Sequence, residues 1–535
     1  MKRRDFLRAG ALTGAASLLP RVSEAKRIES KANLLDSFEL EEATVAELQR
    51  DMTAGNRTSE SITRLYLKRI EDIDRSGPSL NSVIEVNPDA IAIATSLDEE
   101  RRARGPRGPL HGIPVLLKDN IDTADRMMTT AGSLALAGSP ALQDSFVAKR
   151  LRDAGAVILG KTNLSEWANF RSSHSTSGWS GRGGQTRNPY VLDRNPCGSS
   201  SGSGAAVAAN LCAIAVGTET DGSVVCPSSA NGIVGIKPTL GLISRAGIIP
   251  IAHSQDTAGP MTRTVADAAV VLTALAGVDP RDSATSKSAS HATDYTRFLD
   301  ANGLRGKRIG VARDKLTGYH DATDRLFNEA IEVMKSHGAI IVDPADIPTA
   351  GKFDDTEGVV LHYEFKSDLN SYLTSRGRSA RVKTLKDVID FNEKNKEREM
   401  PWFGQETMIE SQKKGPLTEK KYLDALARNH RLSRTEGIDA VMNKHRLDAL
   451  VAPTGGPAWT TDLINGDHFT GASSTPAAVA GYPNINVVMG FVSGLPVGLS
   501  IFGRAWSEPQ LISIAYGFER ATRFRRAPEF LPSLA

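Results

Sequence analysis

The sequence lacks the features that mark several large classes of protein. Its 535 residues include three cysteines and ten histidines, and neither Cys-x-x-Cys nor His-Glu-x-x-His occurs. So few cysteines cannot form a disulfide framework for a chain of this length, and scattered histidines do not support a metal site. No apolar run reaches the roughly 18 residues that a membrane-spanning helix needs. The composition is that of an ordinary globular protein.

A net charge is also lacking once the N-terminus is set aside. The formal net charge is +3 at pH 7, and the first 25 residues, with five basic and two acidic side chains, account for all of it. The remaining chain is neutral, so it has no electrostatic reason to bind nucleic acid or an anionic membrane. We expect neither as a partner of the mature protein.

The first 25 residues resemble an export signal. The pair Arg3-Arg4 precedes a short apolar run over 9–19, and Ser23-Glu-Ala25 offers a small-x-small cleavage site. This order is typical of a twin-arginine signal peptide, although an ordinary amphipathic helix is the alternative. We expect residues 1–25 to be removed, the twin-arginine machinery to be a transient partner, and the mature protein to be periplasmic or secreted. The fold then occupies residues 35–535 as a single domain.

Short apolar runs alternate with helical patterns along most of the chain. We predict an N-terminal layer of helices over residues 35–100 and a buried strand that ends at Lys118. Further buried strands are predicted in the ranges 156–159, 214–217, 448–451, 485–488 and 497–501. Such alternation predicts an α/β fold with helices on both faces of a sheet. Residues 285–440, rich in Lys and Glu, are predicted to be a mostly helical insertion or cap.

Two glycine-flanked loops carry serines that could act as nucleophiles. Ser199 lies in Cys-Gly-Ser-Ser-Ser-Gly-Ser, and Ser223 ends Gly-Thr-Glu-Thr-Asp-Gly-Ser, 24 residues later. Flanking glycines let the backbone approach a substrate and turn N–H groups toward it. Lys118 lies upstream, and a serine with a lysine as its base is a nucleophile that needs no histidine. The sequence therefore predicts a serine hydrolase.

Two other motifs compete with this interpretation. Residues 155–162 match the phosphate-binding P-loop expression, but the four residues between its glycines are Ala-Val-Ile-Leu, which favour a strand over a loop. Residues 198–202 match the Gly-x-Ser-x-Gly nucleophile elbow centred on Ser200, but a proline-rich loop precedes it where an elbow needs a strand. An esterase that uses Ser200 stays an alternative, as does a peptide-binding protein without turnover.

The region from Pro196 to Thr239 resembles the signature region of the amidase signature family. Similar family segments are found at Gly112–Asn120, Gly160–Asn163, Thr186–Pro189, Asp256–Pro260, Ala480–Pro483 and Gly494–Gly498. The resemblance covers about residues 40–525 and implies the family's fold, a mixed central sheet covered by helices. Within the family the bacterial peptide amidases are the most similar branch, on shared variants such as Trp167-Ala-Asn-Phe170 and Phe403-Gly-Gln-Glu406.

The resemblance also implies the roles of individual residues. It makes Ser223 the nucleophile, Lys118 the general base, and Ser199 a bridging serine held in a cis peptide. The backbone N–H groups of Thr220, Asp221, Gly222 and Ser223 would form the oxyanion hole. Asp221 stands where the family's common form has glycine, and Val225 stands where many members have arginine. Trp459 and Phe403 are candidate residues of the acyl pocket.

This chemistry requires a neutral lysine. The pKa of Lys118 would have to fall from about 10.4 toward about 7, at a cost on the order of 4–5 kcal/mol. Burial at the end of an apolar strand favours that direction, provided that the carboxylate of Asp119 points elsewhere. The resemblance implies that the substrates are short peptides with a C-terminal amide. The alternative is that the protein is a general amidase of the same family, acting on aliphatic or aryl amides. No metal or organic cofactor is required.

The three cysteines are Cys197, Cys212 and Cys226, and two of them flank the serine loops. A disulfide between Cys197 and Cys226 is conceivable. We expect instead that all three are buried free thiols that pack as small apolar groups.

Overall fold

An 11-stranded mixed sheet organises the part of the chain that the computed structural model describes, residues 38–378 and 380–534. The chain divides into two units by its contacts, Met1–Glu39 and Leu40–Ala535, and the sheet lies in the second. The predicted signal peptide lies outside the described residues. None of the described helices is both long and apolar enough to cross a membrane.

The strands of the main sheet run in the order β1-β3-β2-β6-β8-β7-β12-β13-β11-β9-β10. Pairs β3–β2, β2–β6, β11–β9 and β9–β10 are parallel, and the other neighbours are antiparallel. The strands are β1 Val83–Val86, β2 Pro114–Lys118, β3 Val157–Thr162, β6 Ile214–Glu219, β7 Val234–Lys237, β8 Thr257–Thr262, β9 Arg308–Val311, β10 Ile340–Val342, β11 Ala449–Pro453, β12 Asn484–Val492 and β13 Leu495–Phe502. A separate hairpin consists of β4 Trp179–Ser180 and β5 Gly184–Gln185.

Sixteen α-helices surround this sheet within the described residues. They are α1 Val45–Ala54, α2 Ser59–Arg69, α3 Ala90–Arg104, α4 Phe146–Asp153, α5 Ser201–Ala208, α6 Val225–Ala230, α7 Val265–Leu275, α8 Asp321–Ser336, α9 Asp354–Ser375, α10 Leu385–Lys394, α11 Lys396–Glu399, α12 Glu406–Gln412, α13 Lys420–His430, α14 Asp439–His445, α15 Thr475–Ala480 and α16 Glu508–Thr522. The predicted α/β class with a mixed central sheet is confirmed.

Helices α1, α2 and α3 lie in the predicted helical range 35–100, which also contains strand β1 of the sheet. Thr44 caps α1 by accepting a hydrogen bond from the N–H of Glu47, whose side chain closes a capping box. Thr58 caps α2 in the same way. Both helices bury one apolar face, as amphipathic helices on a sheet do.

The central strands are apolar on both faces. All five residues of β2 and all six of β6 are buried, which is typical of parallel strands covered by helices on each side. Helix α5, between them in sequence, contains only Ser, Gly, Ala and Val, and all its residues are buried. The prediction of a buried strand that ends at Lys118 is confirmed.

The segment 285–440 contributes to the sheet as well as covering it. Strands β9 and β10 extend the sheet beyond β11, helix α8 between them packs on β11 and β12, and the long helical run begins after them at α9. Phe365, Leu369 and Tyr372 of α9 form one apolar cluster with Trp167 and Ile251. This cluster attaches the cover to loops that surround the serine residues.

Candidate active site

The candidate site lies where two parallel strands of the sheet end. In the β2–β6 ladder Leu117 pairs with Val216, so Lys118 and Thr218 both lie at the carboxyl ends of their strands. Strand β8 runs antiparallel to β6, with Glu219 opposite Thr257, which brings Asp256 to the same edge. The carboxyl ends of parallel strands are where ligands bind in α/β sheets.

Lys118 is fully buried, and its side-chain nitrogen has three oxygen neighbours. Nζ lies 2.8 Å from Oγ of Ser199, 2.9 Å from Oγ1 of Thr218 and 3.2 Å from the carbonyl oxygen of Thr218. Burial lowers the pKa of Lys118 to about 7, against the opposing effect of the carboxylates of Asp256 and Glu219. A large fraction of this amine is therefore neutral near pH 7.

The carboxylate of Asp119 is directed away from the amine of its neighbour. It accepts hydrogen bonds from the hydroxyl of Thr130 and, at 3.3 Å, from the N–H of Gly132. Arg182 lies 3.4 Å from it on the same side. The alternation of side chains along a strand thus keeps the adjacent carboxylate from holding Lys118 in its charged form.

The two serine loops lie against each other. The N–H of Ser200 donates to the carbonyl oxygen of Ser223 at 3.1 Å, and the peptide bond between Gly198 and Ser199 is cis. Ser199 is fully buried beside Lys118, whereas Ser223 is 8% exposed and lines a cleft. Lys118 and the loops of Ser199 and Ser223 therefore form one cluster that opens to the surface at Ser223.

The loop from Thr220 to Ser223 lines this cleft, and its backbone donors are free. In the described part of the chain, none of its four N–H groups donates to another residue. Gly222 has a φ of 76°, a left-handed conformation that favours glycine. The side chain of Glu219 holds the next turn by accepting from the N–H groups of Val224 and Val225 at 2.7 and 3.0 Å.

Asp221, which stands where the family's common form has glycine, has an ordinary backbone conformation. Its φ is not in the left-handed region, and its carboxylate accepts from the hydroxyls of Ser474 and Thr475 at 2.5 and 2.7 Å. The side chain is thus anchored to α15, and the backbone N–H of Asp221 stays available.

The structure corrects the expectation of three free thiols. Cys197 and Cys226 form a disulfide, with their Cα atoms 6.0 Å apart, and only Cys212 is a free, buried thiol. Cys197 precedes Ser199 by two residues and Cys226 follows Ser223 by three. The folding of the two loops against each other brings these sulfur atoms together, and the disulfide joins the loops that carry the two serines.

The cleft beside Ser223 has a volume of about 550 Å³, within the range of small-molecule sites. Trp459 lines it, with its ring edge-on to Phe469 and its Nε1 donating to Asp467 at 3.1 Å. Phe403, the other predicted pocket residue, is not among the residues that line the cleft. The guanidinium of Arg171 lies over its ring, 4.2 Å from the centroid, and the ring of Trp179 packs against it edge to face.

The segments that match the nucleophile elbow and the P-loop have structural roles in the fold. Ser200 is fully buried, and its Oγ donates to the carbonyl oxygen of Thr218 at 3.0 Å, so it is not placed to attack a substrate. The P-loop match lies on strand β3, and the amine of Lys161 donates to the carbonyl oxygen of Ile121 and to Oγ1 of Thr129. Neither segment has the loop geometry that its motif requires.

Two residues of the site were not predicted. Thr218 supplies two of the three oxygens around Lys118, and Asp256 accepts from Oγ1 of Thr220 at 2.6 Å. The position of Thr218 one residue after the apolar run 214–217 was a usable signal. Asp256 begins one of the segments similar to the family, but that segment does not show its approach to the site, which depends on the antiparallel return of β8.

One group among the described residues has the composition of a metal site, namely His253, Glu364 and Asp368. Nδ1 of His253 lies 2.8 Å from Asp368 and Nε2 lies 3.4 Å from Glu364. The imidazole thus bridges two carboxylates. The pKa of His253 is raised, chiefly by its hydrogen bond with Asp368, as expected for an ion pair.

Comparison with known proteins decides the family. The model of the family described as Amidase matches residues 61–512. The chain belongs to the amidase signature family. This amidase is 43% identical over 512 residues to a probable amidase of Arabidopsis thaliana, and the match covers 94% of each chain.

Solved structures of the family share the fold closely. Native peptide amidase from Stenotrophomonas maltophilia is 52% identical, with a TM-score of 0.87, and the match covers 92% of this chain and 99% of that one. Peptide amidase PAM in complex with the competitive inhibitor chymostatin is also 52% identical, with a TM-score of 0.89, over 92% of this chain and all of that one. The chain described here is accordingly a hydrolase that acts on amide bonds.

Proposed function

We propose that this amidase releases ammonia from the C-terminal amide of short peptides, with Ser223, Ser199 and Lys118 as its catalytic residues. The contact that carries the proposal is the 2.8 Å distance between Nζ of Lys118 and Oγ of Ser199, deep in the protein. The similarity to peptide amidase supports the choice of substrate, and so does a cleft large enough for a short peptide.

The geometry around Lys118 suits a neutral amine. Its two N–H groups have the two oxygens of Thr218 as acceptors, which leaves the lone pair for the hydroxyl proton of Ser199. Ser199 then passes a proton from the hydroxyl of Ser223 to Lys118 as the oxygen of Ser223 attacks the amide carbon. Base assistance of this kind is needed because a serine hydroxyl is a weak nucleophile at neutral pH.

The same residues can carry out the remaining steps, which are the loss of ammonia and the hydrolysis of the acyl-enzyme. The attacked carbonyl becomes an oxyanion beside the N–H groups of the loop 220–223, and each donor there would contribute about 2.7–4 kcal/mol. When the C–N bond breaks, Lys118 returns its proton through Ser199 to the leaving nitrogen, and ammonia departs. Water then attacks the ester of Ser223 with the same base, which gives the peptide carboxylate and restores the serine.

Ammonia release from an amidated dipeptide tests this function. The wild-type protein should release one ammonia per peptide and leave the peptide bond intact, as read by mass spectrometry. Ser223→Ala should reduce the rate by at least about 10³-fold, because the nucleophile is lost. Ser336→Ala, at an exposed position on α8, is the matched control and should keep the wild-type rate. Equal rates for wild type and Ser223→Ala would refute the proposal.

We also propose that the protein is exported through the twin-arginine route. The Arg3-Arg4 pair supports this, and the disulfide between Cys197 and Cys226 is typical of oxidising compartments. Expression of the full chain in a bacterium, followed by fractionation, should place the processed protein outside the cytoplasm. The variant Arg3→Lys/Arg4→Lys should stay unprocessed in the cytoplasm, and identical fractionation of the two would contradict the proposal.

A further inference from the structure

The charged groups that line the cleft are unevenly distributed. Its charged groups are the carboxylates of Asp221 and Asp467, and His174 lines it as well; no lysine or arginine is among the described residues that line it. His174 lies 3.3 Å from Glu406 and so has a partner of its own. A substrate in this cleft therefore meets negative charge without a fixed cation opposite it.

Within the described residues, the hydrogen bonds to Asp467 come from neutral donors. Its Oδ1 accepts from Nε1 of Trp459 at 3.1 Å, from Nδ2 of Asn195 at 3.2 Å and from the N–H of Ser177 at 3.1 Å, and the same N–H lies 3.0 Å from Oδ2. In the described part of the chain no lysine, arginine or histidine pairs with it. Arg194, in the adjoining surface depression, is paired with Asp193 at 3.2 Å.

A carboxylate in this situation is incompletely stabilised. Burial raises the pKa of Asp467, which shows that its neutral hydrogen bonds do not offset the loss of water. A carboxylate partly removed from water gains most from a cation that can also donate hydrogen bonds. Because Asp467 borders the open cleft, such a cation can come from a bound substrate.

Asp467 is also connected to the serine loops. Asn195, which donates to Asp467, accepts at the same time from the N–H of Cys197 at 2.8 Å. Cys197 is two residues from Ser199, and its disulfide leads to the loop of Ser223. Asp467 and Ser223 thus line the same cleft, and the segment from Asn195 to Ser199 connects Asp467 to the serine loops.

We propose that Asp467 binds an ammonium or guanidinium group of the substrate and makes this amidase selective for cationic peptide amides. The inference rests on the proposed function and specifies its substrate class. The cation is either the N-terminal ammonium of a short peptide amide or the side chain of a lysine or arginine. Asp221 is less suited to the role, because each of its oxygens accepts from a hydroxyl of its own, that of Ser474 or Thr475, whereas Oδ2 of Asp467 has only the N–H of Ser177, which it shares with Oδ1.

Matched substrate pairs separate the two sources of the cation. The first pair is a neutral-side-chain dipeptide amide with a free N-terminus and its N-acetyl form. The second is an N-acetyl dipeptide amide with lysine and the same peptide with norleucine. In wild type the cationic member of one pair should have a kcat/KM at least about tenfold higher. The ratio should fall as salt is added, because ions screen the charge pair.

Asp467→Asn removes the charge and keeps Oδ1 as an acceptor for its three donors, while its amide nitrogen replaces Oδ2 and loses the contact of that oxygen with the N–H of Ser177. In this variant the ratio between the cationic and neutral substrates should fall to within about twofold of one. Asp462→Asn is the matched control, since that carboxylate lies five residues away and, within the described residues, accepts hydrogen bonds only from Ile464 and Asn465. It should keep the wild-type ratio. Thermal unfolding of both variants shows whether Asp467→Asn is folded.

Two results would overturn the inference. Asp467→Asn could slow both members of each pair equally, which would mean a purely structural role. Wild type could instead show no preference in either pair. If wild type hydrolyses no amide, the proposed function fails separately. The affinity of Ser223→Ala for the same pairs, measured by calorimetry, then decides the role of Asp467, and equal affinities within each pair would refute it.

Discussion

Both oxygen atoms of Thr218 contact the amine of Lys118, at 2.9 Å for Oγ1 and 3.2 Å for the carbonyl. Asn120 donates to the same Oγ1 at 3.0 Å. Thr218 therefore fixes the direction of the amine, so that its third contact is Ser199. The relationship follows from the parallel pairing of β2 and β6, and it makes Thr218 a positioning residue for the proposed base.

Replacing Thr218 should impair the enzyme through the orientation of Lys118. Thr218→Val removes Oγ1 but keeps the shape of the side chain, and we expect kcat to fall about 10–100-fold, in the range of a lost catalytic orientation. KM should change much less, because Ser223 and Trp459 still line the cleft. Thr218→Ser restores the hydroxyl and should recover most of kcat. A Thr218→Val enzyme with wild-type kcat would contradict this role.

The buried amine of Lys118 should lower the free energy of unfolding of the protein, although the proposed reaction requires it. Its folded pKa of about 7 lies below the ordinary 10.5, so the unfolded chain binds more protons between these values and stability rises with pH across this window. Below pH 7 the full cost applies, on the order of 4–5 kcal/mol. Removing the amine also forfeits hydrogen bonds worth about 1–3 kcal/mol.

We therefore expect Lys118→Met to be more stable than wild type by about 2 kcal/mol at pH 6–7, while lacking activity. Denaturant unfolding at pH 6 and at pH 10 measures the difference, which should shrink or reverse at the higher pH. A variant that is less stable than wild type at pH 6 would show that the buried amine is not strained by its burial.

The disulfide should contribute substantially to stability. It closes a loop with a sequence separation of 29, for which restriction of the unfolded chain predicts about 3–4 kcal/mol. The double variant Cys197→Ala/Cys226→Ala should lose that amount in denaturant unfolding. A reductant should destabilise wild type similarly and leave the double variant unaffected. Cys212→Ala, which removes the free thiol, is the control and should still respond to reductant; an unresponsive wild type would contradict the prediction.

The sequence was sufficient for the parts of the site that depend on local pattern. The apolar run before Lys118 predicted a buried strand and hence a lowered pKa, and both are present. The α/β alternation predicted the sheet. The family resemblance supplied the roles that we propose for Ser199 and Ser223, which glycine-flanked serines alone did not indicate.

The parts that depend on distant contacts could not be predicted in this way. Phe403 belongs to the long helical segment, and only its packing on Arg171 and Trp179 shows that it is kept out of the cleft. The disulfide required the two loops to fold together, which their separation of 29 residues does not reveal. Asp467 was missed because its significance depends on the absence of cations from residues far apart in sequence.

The central claim is that the buried amine of Lys118 acts as a neutral base, and the pH dependence of kcat/KM for an N-acetyl dipeptide amide, which has no titrating amine of its own, tests it most directly. The profile should rise about tenfold per pH unit below an apparent pKa of about 7 and level off above it. Burial also raises the pKa of Asp256, to about 6, so the measurement is made at two temperatures. An amine's pKa falls clearly on warming, whereas a carboxyl group's barely moves. The predicted result is a rise in kcat/KM with an apparent pKa near 7 that shifts to lower pH on warming. A profile that is flat from pH 5 to 9, or an apparent pKa that does not move on warming, would contradict the claim.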